Sequence, residues 1–550
     1  MRTRGTRQGW HSEQAEILRS VGHPLNKPVL KQVGREAIVF LPVAALFFAG
    51  AVYVNARYDD AYIAYRYAEN IANGYGPVYN IGERVEGYTC ILWLLILAGV
   101  IKLGLNVARM SVALGIGFGW LTILATSWLA YQLSGDTARW RRWLPSVLLA
   151  LCPLFAFSAG TGIETTLATF LVTAALGFVL YERDSFCAPV LFGLASLARP
   201  DTVLYAGVAF VYDLGVRKWK KGLLRTLPVV LLFGGQIIFR LIYYGDLFPN
   251  TYYSRLGSSM DMLVRGLWYT DSFIRFWWDG PVDATIGKVP WFVSAVELTR
   301  LLRYVPVVAI VAAGLFHKNR SRFAFILGVV LVHVLYVIRV GGDFMVGARF
   351  FIPILPALLV LTTESVVVLT EKIRVLQVRH VLRLVSVALI LTVLATQVRP
   401  ARAWRTMTRE FNLRKMDAAQ YFLEKFPPDS LIATDAIGII GYITKMPILD
   451  VLGTVDRHIG HAKVPMGKGL PGHEKYDADY VFERNPDVIY IPLSPEGRWI
   501  ILPVWKAIWN HPLLLERYEV VRDKVPYYRR KNVLLIPPST RVATPQSQQQ

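Results

Sequence analysis

Residues 37–54, AIVFLPVAALFFAGAVYV, followed after Asn55-Ala56-Arg57 by Tyr58-Asp59-Asp60-Ala61-Tyr62, decide how this chain folds. An uncharged run of this length, rising about 1.5 Å per residue as a helix, matches the hydrocarbon core of a bilayer. It follows a basic tail holding Arg2, Arg4, Arg7, Arg19, Lys27, Lys31 and Arg35. No small-residue cleavage site lies close behind it, so it reads as an uncleaved anchor and not a signal peptide. Comparable runs recur, among them Val107–Leu133 and Ala324–Val337. The chain is therefore expected to be a polytopic α-helical membrane protein.

Composition agrees with this. The 550 residues carry 60 Lys+Arg against 39 Asp+Glu, a formal charge of +21, yet only 18% are charged and 54% are hydrophobic. A nucleic-acid binder would need a polar surface with clustered basic motifs. Here the basic residues sit between apolar runs, which excludes a nucleic-acid module, a soluble enzyme and a disordered chain. Cys90, Cys152 and Cys187 have no ligand-like spacing, so they read as packing residues and neither a disulfide framework nor a zinc motif organises the fold.

Lys and Arg collect on the cytoplasmic side of membrane proteins. Arg139–Arg142, Arg217–Arg225, Lys318–Arg322 and Lys372–Arg383 should therefore share a side with the N-terminal tail. Two choices satisfy that demand. Cys90–Ile101 is read as a re-entrant or interfacial helix, and Cys187–Gly215, interrupted by Arg199-Pro200-Asp201, as two short spans. The expected spans are 37–54, 107–131, 144–158, 165–181, 187–198, 202–215, 226–243, 301–316, 323–339, 350–370 and 381–398, eleven in all. This topology makes a multi-pass membrane protein with its N-terminus cytoplasmic and everything after Gln397 outside.

The domain reading follows the spans. Residues 1–36 are a cytoplasmic basic tail, and 37–398 a transmembrane domain with an outer loop at 55–106. Residues 399–540 form an extracytoplasmic α/β domain, and 541–550 a polar, disordered tail. In the third unit Asn412–Phe426 is helix-like, while Leu431–Thr434, Val488–Pro492 and Asn532–Ile536 are strand-like. No internal repeat is visible.

Ionisable residues near a bilayer are functional candidates, and the topology gathers several on the outer face. Asp59 and Asp60 could cap a helix, but one Asp suffices for that. Two carboxylates leaving a span, with Tyr58 and Tyr62 at the interface, point to a base beside a membrane-held substrate, with little to choose between them. Glu83 and Glu86 stand in the loop before the interfacial helix, and Glu164 in a glycine-rich loop, where each also reads as a solvated turn or a cap. Arg199 and Asp201 could be a buried ion pair or part of the site. Asn250, Asp343, Arg66, Arg255 and Arg349 complete the outer group. Arginine forks there suit a phosphate that is held and then released. The substrate implied is a lipid carrying a phosphate and a polar head group, as in glycosyl transfer from a polyprenyl-phosphate sugar, with a carboxylate activating the acceptor hydroxyl.

These residues sit in an ordered set of motifs: Asp59-Asp60-Ala61-Tyr62, Asn73-Gly74-Tyr75-Gly76-Pro77-Val78-Tyr79-Asn80, Gly82-Glu83-Arg84-Val85-Glu86, Gly160-Thr161-Gly162-Ile163-Glu164, Arg199-Pro200-Asp201, Pro249-Asn250-Thr251 and Gly341-Gly342-Asp343-Phe344-Met345. The set resembles the mycobacterial terminal β-(1→2)-arabinofuranosyltransferases and related membrane glycosyltransferases of the GT-C superfamily. The resemblance runs from about Tyr58 to Pro353 and more loosely beyond. It implies an outer-face active site in the Asp59/Asp60 loop, with Glu164 as a second acidic site. The residues themselves, as exceptions to the inside rule and polar groups of the outer face, suggest donor-phosphate binding by Arg66, Arg199, Arg255 and Arg349 and substrate contacts from Tyr62, Glu83, Glu86, Asp201, Asn250 and Asp343. The implied donor is a polyprenyl-phosphate sugar, with arabinofuranose as the family's sugar. The implied acceptor is an envelope glycan, a lipid or a protein. No cofactor is called for, and a divalent cation held by outer-loop carboxylates is left open.

Two other classes compete with the enzyme. A lipid-linked sugar transporter or flippase would favour repeated halves and midplane charges within broken helices, whereas this chain shows no repeat, its motifs gather on one face, and it ends in a large outer domain. A metal enzyme would use His458, His461 and His473, which read equally as structural histidines. Gly469–Lys475 is a candidate contact for an acceptor glycan.

Overall fold

The computed structural model describes residues 27–135, 139–181, 186–216, 219–255, 257, 259–285, 304–492 and 502–536. Most of the expected basic tail, the first residues of the expected span at 301–316 and the tail at 541–550 lie outside the described residues. What is described is mostly helical. In chain order the first helices are α1 (Lys27–Val54), α2 (Asp59–Ala72), α3 (Ile91–Lys102), α4 (Val107–Ser134), α5 (Arg139–Ala150), α6 (Pro153–Ala159), α7 (Thr165–Leu180), α8 (Cys187–Ala198) and α9 (Val203–Gly215). They are followed by α10 (Trp219–Tyr244), α11 (Asn250–Arg255), α12 (Met260–Thr285), α13 (Val305–Phe316), α14 (Arg320–Val340), α15 (Leu355–Glu371), α16 (Leu376–Thr396) and α17 (Val398–Lys425).

The expected spans are helical over most of their described residues, but 144–158 breaks at Leu151 and Cys152, where Trp140–Ala150 and Pro153–Ala159 meet at 62°. Among the described residues five stretches are long and apolar enough to cross a membrane: Val107–Ser134, Thr226–Tyr244, Arg320–Val340, Arg349–Glu371 and Leu376–Lys425. The number rises to as many as seven if two bent pairs each count as one span. One of these pairs, Phe40–Val54 with Asp59–Ala72, turns through 97° at residues 55–58. The corner starts a new helix at the paired aspartates instead of letting α1 run on. Helix α3 is a short apolar helix whose Trp93, Leu94 and Leu97 are wholly buried while Leu95 is exposed. Inside the bundle, Arg141 of α5 donates to both carboxylate oxygens of Glu364 on α15, at 2.9 and 2.6 Å. His317 Nε2 lies 3.4 Å from the same group. Charges this deep persist only when paired.

Helix α17 follows α16 after the single residue Gln397, so the expected domain boundary falls within an almost unbroken helical run and not in a linker. Beyond α17 come β1 (Ile432–Thr434), α18 (Ile437–Thr444), β2 (Ile448–Asp450), α19 (Arg457–His461), α20 (Ala478–Glu483), β3 (Val488–Ile489), α21 (Pro503–Trp509), α22 (Pro512–Arg517), β4 (Tyr518–Arg522) and β5 (Pro526–Arg530). The strands form one sheet in the order β2-β1-β3-β5-β4. Strand β1 pairs in parallel with β2 (Ile432 with Ile448) and with β3 (Ile432 with Val488). Strand β5 closes the sheet antiparallel to β3 and β4. The expected strand at Asn532–Ile536 is not one: Asn532 takes φ +67°, which ends the extended run, and the hairpin lies just upstream. Trp505 and Val504 of α21 pack with Ala433, Leu449 and Ile489 under the sheet.

The sheet unit is keyed into the helical part through α18. A Cβ on Gly438 would stand 2.0 Å from the Asp59 carbonyl oxygen, and one on Gly441 would stand 1.9 Å from the Tyr79 hydroxyl. Only glycine lets α18 lie this close to α2. Arg66 of α2 locks the contact. It is buried, and its guanidinium donates to Tyr79 O (2.9 Å), Gly441 O (2.8 Å), Met446 O (2.9 Å) and Asn80 Oδ1 (3.2 Å). Lys445 pairs with Glu69 beside it.

Candidate active site

Where α2 begins, the chain is extended at Tyr58 (φ −77°, ψ 154°) and then turns helical at Asp59. Successive residues on a helix point about 100° apart, so the two adjacent aspartates face different neighbours. Asp59 turns to the sheet unit, accepting from Gly438 N–H (3.1 Å) and Ile439 N–H (3.0 Å), with Lys415 Nζ 3.4 Å away. It thus serves the start of α18, not of its own helix. Asp60 turns into a cavity of about 450 Å³.

That cavity gathers residues far apart in sequence. Asp60 Oδ2 lies 3.4 Å from Arg349 Nη1 and 3.9 Å from Arg255 Nη2. Arg349 is clasped from behind by Asp343. Across the cavity Arg199 grips both oxygens of Asp201, each at 3.1 Å, and lies 3.7 Å from Glu164 Oε1. The Phe350 ring stands between the two arginine groups, 5.5 Å from the Arg199 guanidinium carbon and 5.6 Å from that of Arg349. This is cation–π distance for both. Arg255 is the least engaged of the three arginines, with its side chain 31% exposed against 8% and 10% for Arg199 and Arg349.

Backbone geometry holds these groups in place. Gly162 has φ +80°, and a Cβ there would meet the Tyr65 hydroxyl at 2.6 Å. The loop that delivers Glu164 therefore needs glycine at that point. Tyr58 O–H donates to Val346 O (2.5 Å), pinning the turn that carries Asp343 and Arg349. His333 of α14 faces Phe350 O through Nε2 (2.5 Å) and the Tyr205 hydroxyl through Nδ1 (2.6 Å). A carbonyl can only accept, so Nε2 carries the proton. The sheet unit contributes Thr454, Pro471 and Gly472 to the cavity wall. Arg265 ties that roof to the turn before Asp343, donating to Gly341 O (3.0 Å), Gly469 O (3.0 Å) and Glu474 (2.8 Å).

Of the residues expected from sequence, Asp60, Glu164, Arg199, Asp201, Arg255, Asp343 and Arg349 line the cavity. The others are outside its lining. Asp59 holds α18. The guanidinium of Arg66 is spent on main-chain carbonyls and Asn80, so it has nothing to offer a phosphate. Tyr62 packs against Tyr65 and Tyr442. Glu83 accepts from Asn80 (2.9 Å) and lies near Arg484. Glu86 is buried against Arg240 and Gln236, and burial pushes its carboxyl above the usual range despite the arginine. Asn250 donates to the carbonyls of Gly453, Thr454 and Asp456, fastening α11 to the sheet unit.

Arg240, Arg265, His333 and Phe350 were missed. Arg240 and His333 carried a usable signal, being ionisable residues within expected spans. For Arg265 and Phe350 the sequence holds no comparable sign.

The carboxylates of the cavity do not fit a divalent cation, because Asp60, Glu164, Asp201 and Asp343 each already face an arginine. Among the described residues no group of three or more His, Cys, Asp or Glu could hold a metal ion. The three histidines diverge. His458 meets Asp477 (2.9 Å) and His461 stacks on Tyr253 (centroids 4.0 Å apart). His473 donates from Nδ1 to Pro471 O (3.0 Å), and burial lowers its pKa. A more open depression of about 760 Å³ lies beside α19, lined by His458 and His461 but by none of the residues expected to act on the donor or the acceptor.

In overall shape the chain matches ArnT from Cupriavidus metallidurans in the apo state. The TM-score is 0.51 at 14% identity, covering 93% of this chain and 100% of ArnT. ArnT bound to undecaprenyl phosphate gives a TM-score of 0.50, again at 14% identity, over 90% and 97% of the two chains. The chain shares the ArnT fold. In sequence it is similar to the terminal β-(1→2)-arabinofuranosyltransferase of Mycobacterium tuberculosis, 29% identical over 340 residues that cover 57% of this chain and 53% of that one. The protein of the same name from Corynebacterium glutamicum is 29% identical over 339 residues, covering 55% and 47%. The chain thus spans about half the length of the curated relatives it matches. Residues 402–536 match a domain described as "Domain of unknown function (DUF8728)". The resemblance first drawn from the motifs, to terminal arabinofuranosyltransferases, is upheld over more than half of the chain.

Proposed function

We propose that this chain is a membrane glycosyltransferase that moves a sugar from a polyprenyl-phosphate donor to an acceptor in the cell envelope. The observation that carries this reading is Asp60, a carboxylate lining a cavity between Arg255 and Arg349. Asp60 takes the proton from the acceptor hydroxyl. The acceptor oxygen then bonds to the anomeric carbon as the bond from that carbon to the phosphate oxygen breaks, its electron pair leaving with the phosphate. Arg255 and Arg349 hold that phosphate, whose low basicity removes the need for a general acid. Glu164, Arg199 and Asp201, across the cavity, hold the hydroxyls of the sugar. Asp59 is a positioning residue that acts through α18.

The finer parts of the proposal rest on the sequence. The chain crosses the membrane eleven times with its N-terminus cytoplasmic, so residues 37–398 form the membrane domain and 399–540 an extracytoplasmic unit that roofs the site. Arabinofuranose is the sugar, in line with the named relatives, and the acceptor is an envelope glycan. Mass spectrometry of envelope glycans from a deletion strain tests this reading. Loss of one terminal sugar, restored by the wild-type gene and not by Asp60→Asn, is expected. Unchanged glycans would overturn it.

A further inference from the structure

Two polar atoms on one face of α11 are buried without a hydrogen-bond partner: Thr251 Oγ1 and Arg255 Nε. Residues four apart on a helix stand one above the other, and Thr251 and Arg255 both line the cavity. Each such atom left unsatisfied costs free energy, so in a native fold it calls for a partner. Among the described residues nothing supplies one. Arg255 Nε can only donate and the Thr251 hydroxyl can donate beside it, and among the described residues the ion-pair partner of Arg255 is the Asp60 carboxylate at 3.9 Å. A ligand that brings acceptor oxygens and negative charge satisfies both.

The same short segment offers an apolar surface. Phe248 and Tyr252 both line the cavity, their rings stacked at 4.3 Å between centroids and 19° between planes. They stay 41% and 40% exposed. An exposed aromatic pair beside a cationic pocket suits a ligand that is charged at one end and hydrocarbon at the other.

We propose that Thr251 Oγ1 and Arg255 Nε form the phosphate clamp for a polyprenyl monophosphate group, with the Phe248–Tyr252 pair as the rail for its first isoprene units. This rests on the proposed function and deepens it, because it sets the orientation of the donor. The lipid leaves past Phe248 and Tyr252, and the sugar faces Asp60 and Glu164. A phosphate monoester could also arrive free, so the test separates the two sources.

The experiment is binding of undecaprenyl phosphate and of inorganic phosphate to the purified full chain in detergent. Wild type binds undecaprenyl phosphate, and Thr251→Val weakens it about tenfold, the size expected for one lost hydrogen bond to a charged group. Thr251→Ser, which keeps the hydroxyl, stays within about twofold of wild type on the same reasoning. Phe248→Ala weakens the lipid but leaves inorganic phosphate unchanged, which identifies the lipid as the ligand. The clamp is overturned if Thr251→Val binds undecaprenyl phosphate as wild type does, if Thr251→Ser falls as far as Thr251→Val, or if wild type binds no undecaprenyl phosphate. It is also overturned as a lipid site if Phe248→Ala changes neither affinity. Binding with this pattern but no sugar transfer by wild type would leave the clamp standing and remove the transferase.

Discussion

Replacing Asp60 and Asp59 one at a time separates chemistry from architecture, because two identical side chains on adjacent residues face different neighbours, Asp60 the cavity arginines and Asp59 the start of α18. In Asp60→Asn the base is lost. A positioned general base contributes about 10²–10⁴ in rate, equivalent to roughly 3–5.5 kcal/mol of barrier. The phosphate side of the cavity loses nothing, since Arg255 and Arg349 are freed of a competing carboxylate at 3.9 and 3.4 Å. kcat should therefore fall at least about a hundredfold, with the donor KM unchanged or lower and thermal stability near wild type. Asp59→Ala removes acceptors from Gly438 N–H and Ile439 N–H and an ion pair with Lys415. That should cost about 3 kcal/mol of stability and lower the melting temperature, while the folded fraction keeps most of its activity. The assay is transfer from a polyprenyl-phosphate sugar by purified variants, beside thermal unfolding of the same preparations. If Asp60→Asn keeps more than about a tenth of wild-type kcat, or if Asp59→Ala abolishes transfer with its melting temperature intact, the division of roles is refuted.

Other perturbations follow from the same geometry. Gly438→Val places side-chain atoms where the Asp59 carbonyl oxygen lies, so α18 should lift from α2, with at least about 1–3 kcal/mol of destabilisation and faster proteolysis near residues 437–444. Arg66→Lys loses the planar fork that serves Tyr79, Asn80, Gly441 and Met446. It should lower stability by roughly 3 kcal/mol and leave undecaprenyl phosphate affinity unchanged in the folded fraction, where a phosphate ligand would weaken it. Burial pushes the carboxyls of Asp435 and Asp450 up to about 6 and about 7, against an ordinary value near 3.9. A carboxyl raised on folding adds stability that is complete below its unfolded pKa and is lost as pH rises through the folded one. The melting temperature should therefore rise on going from pH 8 to pH 5.5, and Asp450→Asn should flatten that slope. An unchanged slope in that variant would count against Asp450 as its source.

Much of the site was legible in the sequence because each member lies in a polar motif beside an apolar run. Seven of the residues so marked meet around one cavity, although Asp60 and Arg349 stand 289 positions apart. The choice between Asp59 and Asp60 was not legible, because the partner that claims Asp59 is the main chain of a helix 379 residues away. Arg66 misled for the same reason: its partners beyond Asn80 are main-chain carbonyls, two of them in the sheet unit, and no side-chain pattern records those. Thr251 was visible only as part of Pro249-Asn250-Thr251, and its lack of a partner is a property of the folded chain. The helices were readable from apolar runs, whereas β2 and the β4–β5 hairpin are short and β5 is rich in charge, which hides the alternation that marks a strand.

Sugar transfer between two defined substrates is the most direct measurement. Purified protein is placed in liposomes with a polyprenyl-phosphate arabinofuranose labelled in the sugar, together with a synthetic arabinan oligosaccharide. Label appearing on the oligosaccharide, with polyprenyl phosphate released in equal amount and both lost in Asp60→Asn, is the predicted result. Label that stays on the lipid, or that only moves across the bilayer with the lipid, would contradict it.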